Sequence, residues 1–211
     1  MQLVMLHGLY MHHTIMRPLA AQLTGLGWQV EGFSYNSLAI DARLLFERLA
    51  ALTRPGEPQF LVGHSLGGVL ARQYAEHREL PEGSRIVTLG SPHRGAAVAR
   101  RLAQWNLEGL MGNAHQHGLL ENHHGRYLGD AELGSLAGNA GIGMGRLILP
   151  KEESDGDGTV LVEETRLQGF RDHIILPHSH TSMLFSSEVA RQTDNFLRYG
   201  KFSHIQQVEE H

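Results

Sequence analysis

Residues 60 to 77 read FLVGHSLGGVLARQYAEH. The apolar run Phe60, Leu61 and Val62 leads into Gly63-His64-Ser65-Leu66-Gly67-Gly68, and a helix-favouring segment with apolar periodicity follows. This junction constrains the chain more than any other stretch, because a short continuous apolar strand needs cover on both faces of its sheet. A serine at the tip of so tight a strand-to-helix turn takes a strained backbone geometry. A side chain two positions before or after it would strike the neighbouring strand or helix, and glycine at both positions removes the collisions. The hydroxyl is left clear of the sheet, facing the unpaired N–H groups and positive dipole end of the helix that starts there.

The same alternation runs through much of the chain. LVMLHG (3 to 8), WQVEGFSY (28 to 35), QFLVGHS (59 to 65), RIVTLGSP (85 to 92), RLILP (146 to 150) and FRDHIILPHS (170 to 179) read as strands. TIMRPLAAQLTGLG, AIDARLLFERLAAL, LGGVLARQYAEHR and SSEVARQTDNFLRYG read as helices. Strands alternating with helices imply an open, mostly parallel sheet of about six strands with helices on both faces, and chemistry gathers beyond the carboxyl ends of such strands. Residues 93 to 145 break the rhythm with Gly, Asn and His, and read as a lid-like, partly helical insertion in a single domain spanning 1 to 211.

Composition narrows the function classes. A net charge of -4 with interspersed signs offers no basic field for nucleic acid or an anionic membrane, and no apolar run is long enough to span a bilayer. The absence of cysteine excludes disulfides, a thiol nucleophile and thiolate metal sites. The opening MQLVMLHGLY reads as a strand of the fold and not a signal peptide, so a cytoplasmic location is expected. His115, His117, His123, His124 and Glu121 cluster in the insertion without a recognised ligand spacing, and DGDG lacks the downstream glutamate of a calcium loop. No metal or other cofactor is expected.

A serine hydroxyl becomes a nucleophile when a base takes its proton, and the base needs an orienting partner. SDGDGTV (154 to 160) offers Asp155 and Asp157, and LPHSHTSML (176 to 184) offers His178 and His180. Both stretches fall where strands end, and spacing alone leaves each doublet open.

LVMLHGL, VGHSLGGVLA, TLGSPHRGA, DGDGTV and HTSML, taken together and in this order, resemble the α/β-hydrolase superfamily and its lipase- and esterase-like members. The resemblance covers nearly the whole chain, except that the first strands of a full-length sheet have no counterpart. It implies Ser65 as nucleophile, Asp157 rather than Asp155 as the acid, and His180 rather than His178 as the base. It also implies an oxyanion hole from the backbone N–H groups of Leu66 and Leu9, with Tyr10 the alternative to Leu9. His7 and His64 read as buried histidines that bond backbone near the turn. Tyr10, His64, Trp105 and Met111 are expected at the substrate pocket, with Leu107, Leu110, Leu119 and Leu120 of the insertion near them.

The expected activity is hydrolysis of a small carboxylic ester with a short to medium acyl chain. Acyl transfer, thioester or amide hydrolysis, and a binding protein without turnover are the alternatives.

Overall fold

The structure, a computed structural model, describes residues 1–105, 107–117, 125–141 and 155–204. Six strands form one sheet: β1 (Gln2–Leu6), β2 (Gln29–Phe33), β3 (Phe60–His64), β4 (Arg85–Leu89), β5 (Glu132–Gly138) and β6 (Asp172–Leu176). The spatial order is β2-β1-β3-β4-β5-β6, and every neighbouring pair is parallel. The helices are α1 (Arg17–Gly25), α2 (Ala42–Ala51), α3 (Leu66–His77), α4 (Ala97–Gln104) and α5 (Ser187–Tyr199).

Period-two alternation sorts the strand residues into two cores. Val4, Leu6, Leu61, Ile86 and Leu133 join Leu45 and Leu49 of α2 and Leu70 and Tyr74 of α3. Leu3, Met5, Val62, Val87, Leu136 and Ile174 join Leu19 and Leu23 of α1 and Val189 and Phe196 of α5. Each strand between the two edges is therefore buried on both faces, which explains the continuous apolar reading of β1, β3 and β4. Helix ends follow local chemistry. Asp41 caps α2 by accepting from Leu44 N–H at 3.0 Å, Ser186 caps α5 through Val189 N–H at 3.3 Å, and Gly200 closes α5 at φ 70°.

One element corrects the sequence reading. Glu132–Gly138, assigned there to the insertion, is the fifth strand and pairs with β4 and β6. Its sequence, ELGSLAG, lacks β-branched residues and carries glycines, so it does not announce a strand. Packing decides the matter: a Cβ on Gly134 would lie 2.6 Å from the Phe196 ring. The excursion between β4 and β5 thus ends before residue 132 and contains α4 and two short 3₁₀ turns, Glu108–Met111 and Ala114–His117. The strand expected at 146 to 150 lies outside the described residues, as do His123, His124, Glu121, Leu119 and Leu120. Among the described residues no helix is long and apolar enough to cross a membrane.

Candidate active site

Ser65 sits between β3 and α3 with φ 55° and ψ -124°. Only one other non-glycine residue among those described, Tyr10, has positive φ. Such a conformation costs roughly 1–3 kcal/mol for a residue with a Cβ and persists only where its surroundings enforce it. The flanking glycines show the enforcement. A Cβ on Gly63 would lie 2.4 Å from Gly68 backbone, and one on Gly67 would lie 2.4 Å from the Leu6 carbonyl. Ser65 N–H donates to the Leu89 carbonyl at 2.9 Å, which fastens the turn to the end of β4.

The four expected loci meet at the carboxyl edge of the sheet. Residues 7 to 10 follow β1, Ser65 follows β3, Asp157 comes after β5, and His180 follows β6. His180 Nδ1 donates to Asp157 Oδ2 at 2.7 Å, and His180 N–H donates to the Asp157 carbonyl at 2.9 Å. The first bond fixes the tautomer: Nδ1 carries the hydrogen, and Nε2 keeps a lone pair for a proton. The other carboxylate oxygen, Oδ1, accepts from Thr159 N–H at 2.9 Å and Val160 N–H at 2.8 Å. Asp157 is 1% exposed, so these donors replace the water that its charge would otherwise hold.

Both doublets are separated by these contacts. Asp155 is exposed, and its carbonyl accepts from Val162 N–H at 2.9 Å, which makes it a turn residue. His178 turns toward α5, with Nε2 2.9 Å from Ser186 Oγ and 3.6 Å from Glu188 Oε2. Two glycines that sequence reading passed over make the room. A Cβ on Gly90 would lie 2.7 Å from Asp157 Oδ2, and one on Gly138 would lie 2.9 Å from Asp157 Cβ. Each stands at or just beyond a strand end, which is the signal that was available.

The oxyanion candidates also separate. Tyr10 N–H is occupied by Ser37 Oγ at 3.1 Å, which favours Leu9 as the donor from this loop. Leu66, the first residue of α3, has an N–H with no acceptor inside its own helix. Gly8 lets the loop approach, since a Cβ there would lie 3.0 Å from Ser65 Cβ. His7 is buried, with Nδ1 2.9 Å from the Gly8 carbonyl and its ring 4.4 Å from that of Tyr35.

The expected pocket residues divide. Tyr10 and Trp105 are exposed, and the Tyr10 hydroxyl donates to the Leu110 carbonyl, joining the loop after β1 to the excursion. Met111 does not line an accessible wall: it is 2% exposed and packs in the core with Ile40 and Leu66, because the Glu108–Met111 turn folds it inward. His64 does not line one either. It is fully buried, since the last residue of a central strand points into the packed layer beneath the site. Burial, with the nearby His180 adding to it, pushes the His64 pKa down to about 3.

Glu164, absent from the sequence reading, ties the acid loop to the excursion. Its carboxylate accepts from Leu161 N–H at 2.9 Å, from Arg100 Nη2 at 3.1 Å and from Ala97 N–H at the start of α4. Burial raises its pKa against the lowering influence of these donors. Among the described residues no group of three or more His, Asp or Glu side chains converges as a metal site.

Comparison with known proteins agrees with this architecture. Residues 50–139 match the model of the PGAP1-like alpha/beta domain. No curated protein matches the sequence. Among solved structures, Bacillus licheniformis lipase BlEst2 in its mature form is similar, with a TM-score of 0.73 at 20% identity over 93% of this chain and 90% of that one. The RedJ thioesterase of the Streptomyces coelicolor prodiginine pathway gives a TM-score of 0.58 at 17% identity, over 93% and 84%. The metagenomic carboxyl esterase MGS0156 gives 0.60 at 16% identity, over 85% and 64%. With its parallel sheet order, its serine turn and these similarities, the chain has the fold of the α/β-hydrolases.

Proposed function

We propose that the protein is a serine hydrolase of carboxylic esters. Ser65 Oγ attacks the ester carbon while His180 Nε2 takes its proton, and Asp157 holds the resulting imidazolium by its Nδ1–H. The carbonyl electron pair moves onto oxygen, where Leu66 and Leu9 N–H groups receive it. Collapse of the tetrahedral species breaks the bond to the alcohol, which leaves with the proton from His180. Water then repeats the sequence on the acyl-enzyme and releases the acid. Each oxyanion donor is worth roughly 10²–10³ in rate.

The observation that carries this reading is the buried Asp157–His180 bond of 2.7 Å, set at the same sheet edge as a serine of φ 55°. A structural ion pair has no need of a strained serine beside it, and an ordinary turn has no need of glycine at 63 and 67. The substrate is taken as a small ester with a short to medium acyl chain, handled without a metal. The similarity to the RedJ thioesterase supports thioesters as a second acyl substrate.

The test is labelling by a fluorophosphonate together with turnover of p-nitrophenyl esters of increasing chain length. Wild type should label and turn over, and Ser65→Ala should do neither. Labelling that survives in Ser65→Ala would remove the nucleophile, and a wild type that neither labels nor turns over would leave a binding protein.

A further inference from the structure

His64 precedes the proposed nucleophile, yet it is fully buried and does not reach solvent. Its Nε2 lies 2.9 Å from the main-chain carbonyl of His180, an acceptor, so Nε2 carries the hydrogen and donates. Its ring centroid is 4.6 Å from that of His180, inclined by 48°. Its Nδ1 faces the glycine of the loop after β1, 3.4 Å from where a Gly8 Cβ would stand, and has no hydrogen-bond partner among the described residues. One imidazole thus spans the nucleophile strand, the loop that offers the first oxyanion donor and the loop of the base.

We propose that His64 is a positioning residue that holds the His180 loop in register by donating Nε2–H to the His180 carbonyl. This inference rests on the hydrolase reading above. His180 is anchored at its side chain and its N–H by Asp157, and at its carbonyl by His64. During turnover His180 gains a positive charge, and a loop held at one side only would let the ring follow that charge away from Ser65. A donor in this position has to remain neutral, because a second cation against the imidazolium would oppose proton transfer. The titratable groups facing His64 are His180 and, more distantly, His7, and Asp157 stands behind His180. Burial keeps His64 uncharged, and no described residue is placed to accept a hydrogen on Nδ1.

The experiment compares His64→Phe, which keeps a buried ring without the donor, with His64→Gln, whose amide restores a donor. His64→Phe is expected to lower kcat and the fluorophosphonate labelling rate together by about 10–100-fold with KM nearly unchanged, since a displacement of about 1 Å costs up to 10². The acid limb of its pH profile should move, and His64→Gln should recover most of the loss. A His64→Phe protein with wild-type kcat, labelling rate and pH profile would overturn the proposal. Independently of any variant's folding, nitrogen NMR of ¹⁵N-histidine wild type should find His64 as the neutral Nε2–H tautomer at pH 5. An Nδ1–H tautomer or a charged ring there would overturn the proposal as well. Absence of Ser65-dependent labelling in wild type would instead sink the hydrolase reading, and the tautomer would still test the bond.

Discussion

Asp157 holds His180 twice, by its carboxylate at the ring and by its carbonyl at the backbone, at 2.7 and 2.9 Å. The ring therefore keeps its tautomer and its loop keeps its height above the sheet through one residue. Asp157→Asn presents an amide that retains the backbone grip and disturbs the tautomer. Its kcat is expected to fall by about 10⁴-fold with little change in melting temperature. Asp155→Asn and His178→Ala, which alter a turn and a contact to α5, should stay within a few-fold of wild type. Steady-state ester assays on the three variants check this.

The glycines of the turn are predicted to differ sharply from one on the surface. Gly67→Ala puts a Cβ 2.4 Å from the Leu6 carbonyl, a backbone atom of a central strand that has nowhere to move. It should give little folded protein. Gly25→Ala meets nothing within 4 Å at the last turn of α1, and should stabilise by about 0.5–1 kcal/mol. Urea titrations with unchanged slope measure both.

Stability should fall as pH drops from about 6.5 toward 4. His64 and His173 have folded pKa values depressed to about 3 and about 4 by burial, against 6.5 when unfolded, and His7 is depressed in the same direction. Between these limits the unfolded chain binds more protons than the folded one, so acid draws the equilibrium toward unfolding. His173 is bound as a donor: the Thr165 hydroxyl gives its hydrogen to the Val162 carbonyl at 2.6 Å and so accepts from His173 Nε2 at 2.9 Å. His173→Gln can keep that bond without titrating. Its melting temperature should depend less steeply on pH over this range, by up to one proton, as read by scanning calorimetry.

Glu164→Gln trades an acceptor oxygen for a donor that faces three other donors. A loss of about 1–3 kcal/mol is expected. Faster tryptic cleavage at Arg100 and Arg101 of α4 should accompany it, because the start of that helix loses its anchor. Limited proteolysis at a fixed protease ratio reads the effect directly.

The turn at Ser65 was legible because its constraints are local: a strand, a helix and two glycines within a few positions. Five of the six strands, β1 to β4 and β6, were legible too, the central ones because strands covered on both faces show continuous apolar runs. β5 was not, because its glycines serve partners distant in the chain, Phe196 at Gly134 and the His178 carbonyl at Gly138. Periodicity carries no trace of such contacts. Spacing likewise left Asp155 with Asp157 and His178 with His180, and the resemblance chose between them by motif; in the structure Asp155 meets Val162 and His178 meets Ser186. His64 and Met111 were set at the pocket from their position in the chain, and burial turned both inward.

The parallel order β2-β1-β3-β4-β5-β6 also sets a sequence of events during synthesis. The serine leaves the ribosome early, on a strand that β1 can already flank while β4 is still to come. Its imidazole follows 115 positions later, on the segment after the edge strand. A nascent chain stalled anywhere in between carries the Ser65 turn without His180, so under the proposed mechanism it has no base and stays chemically silent.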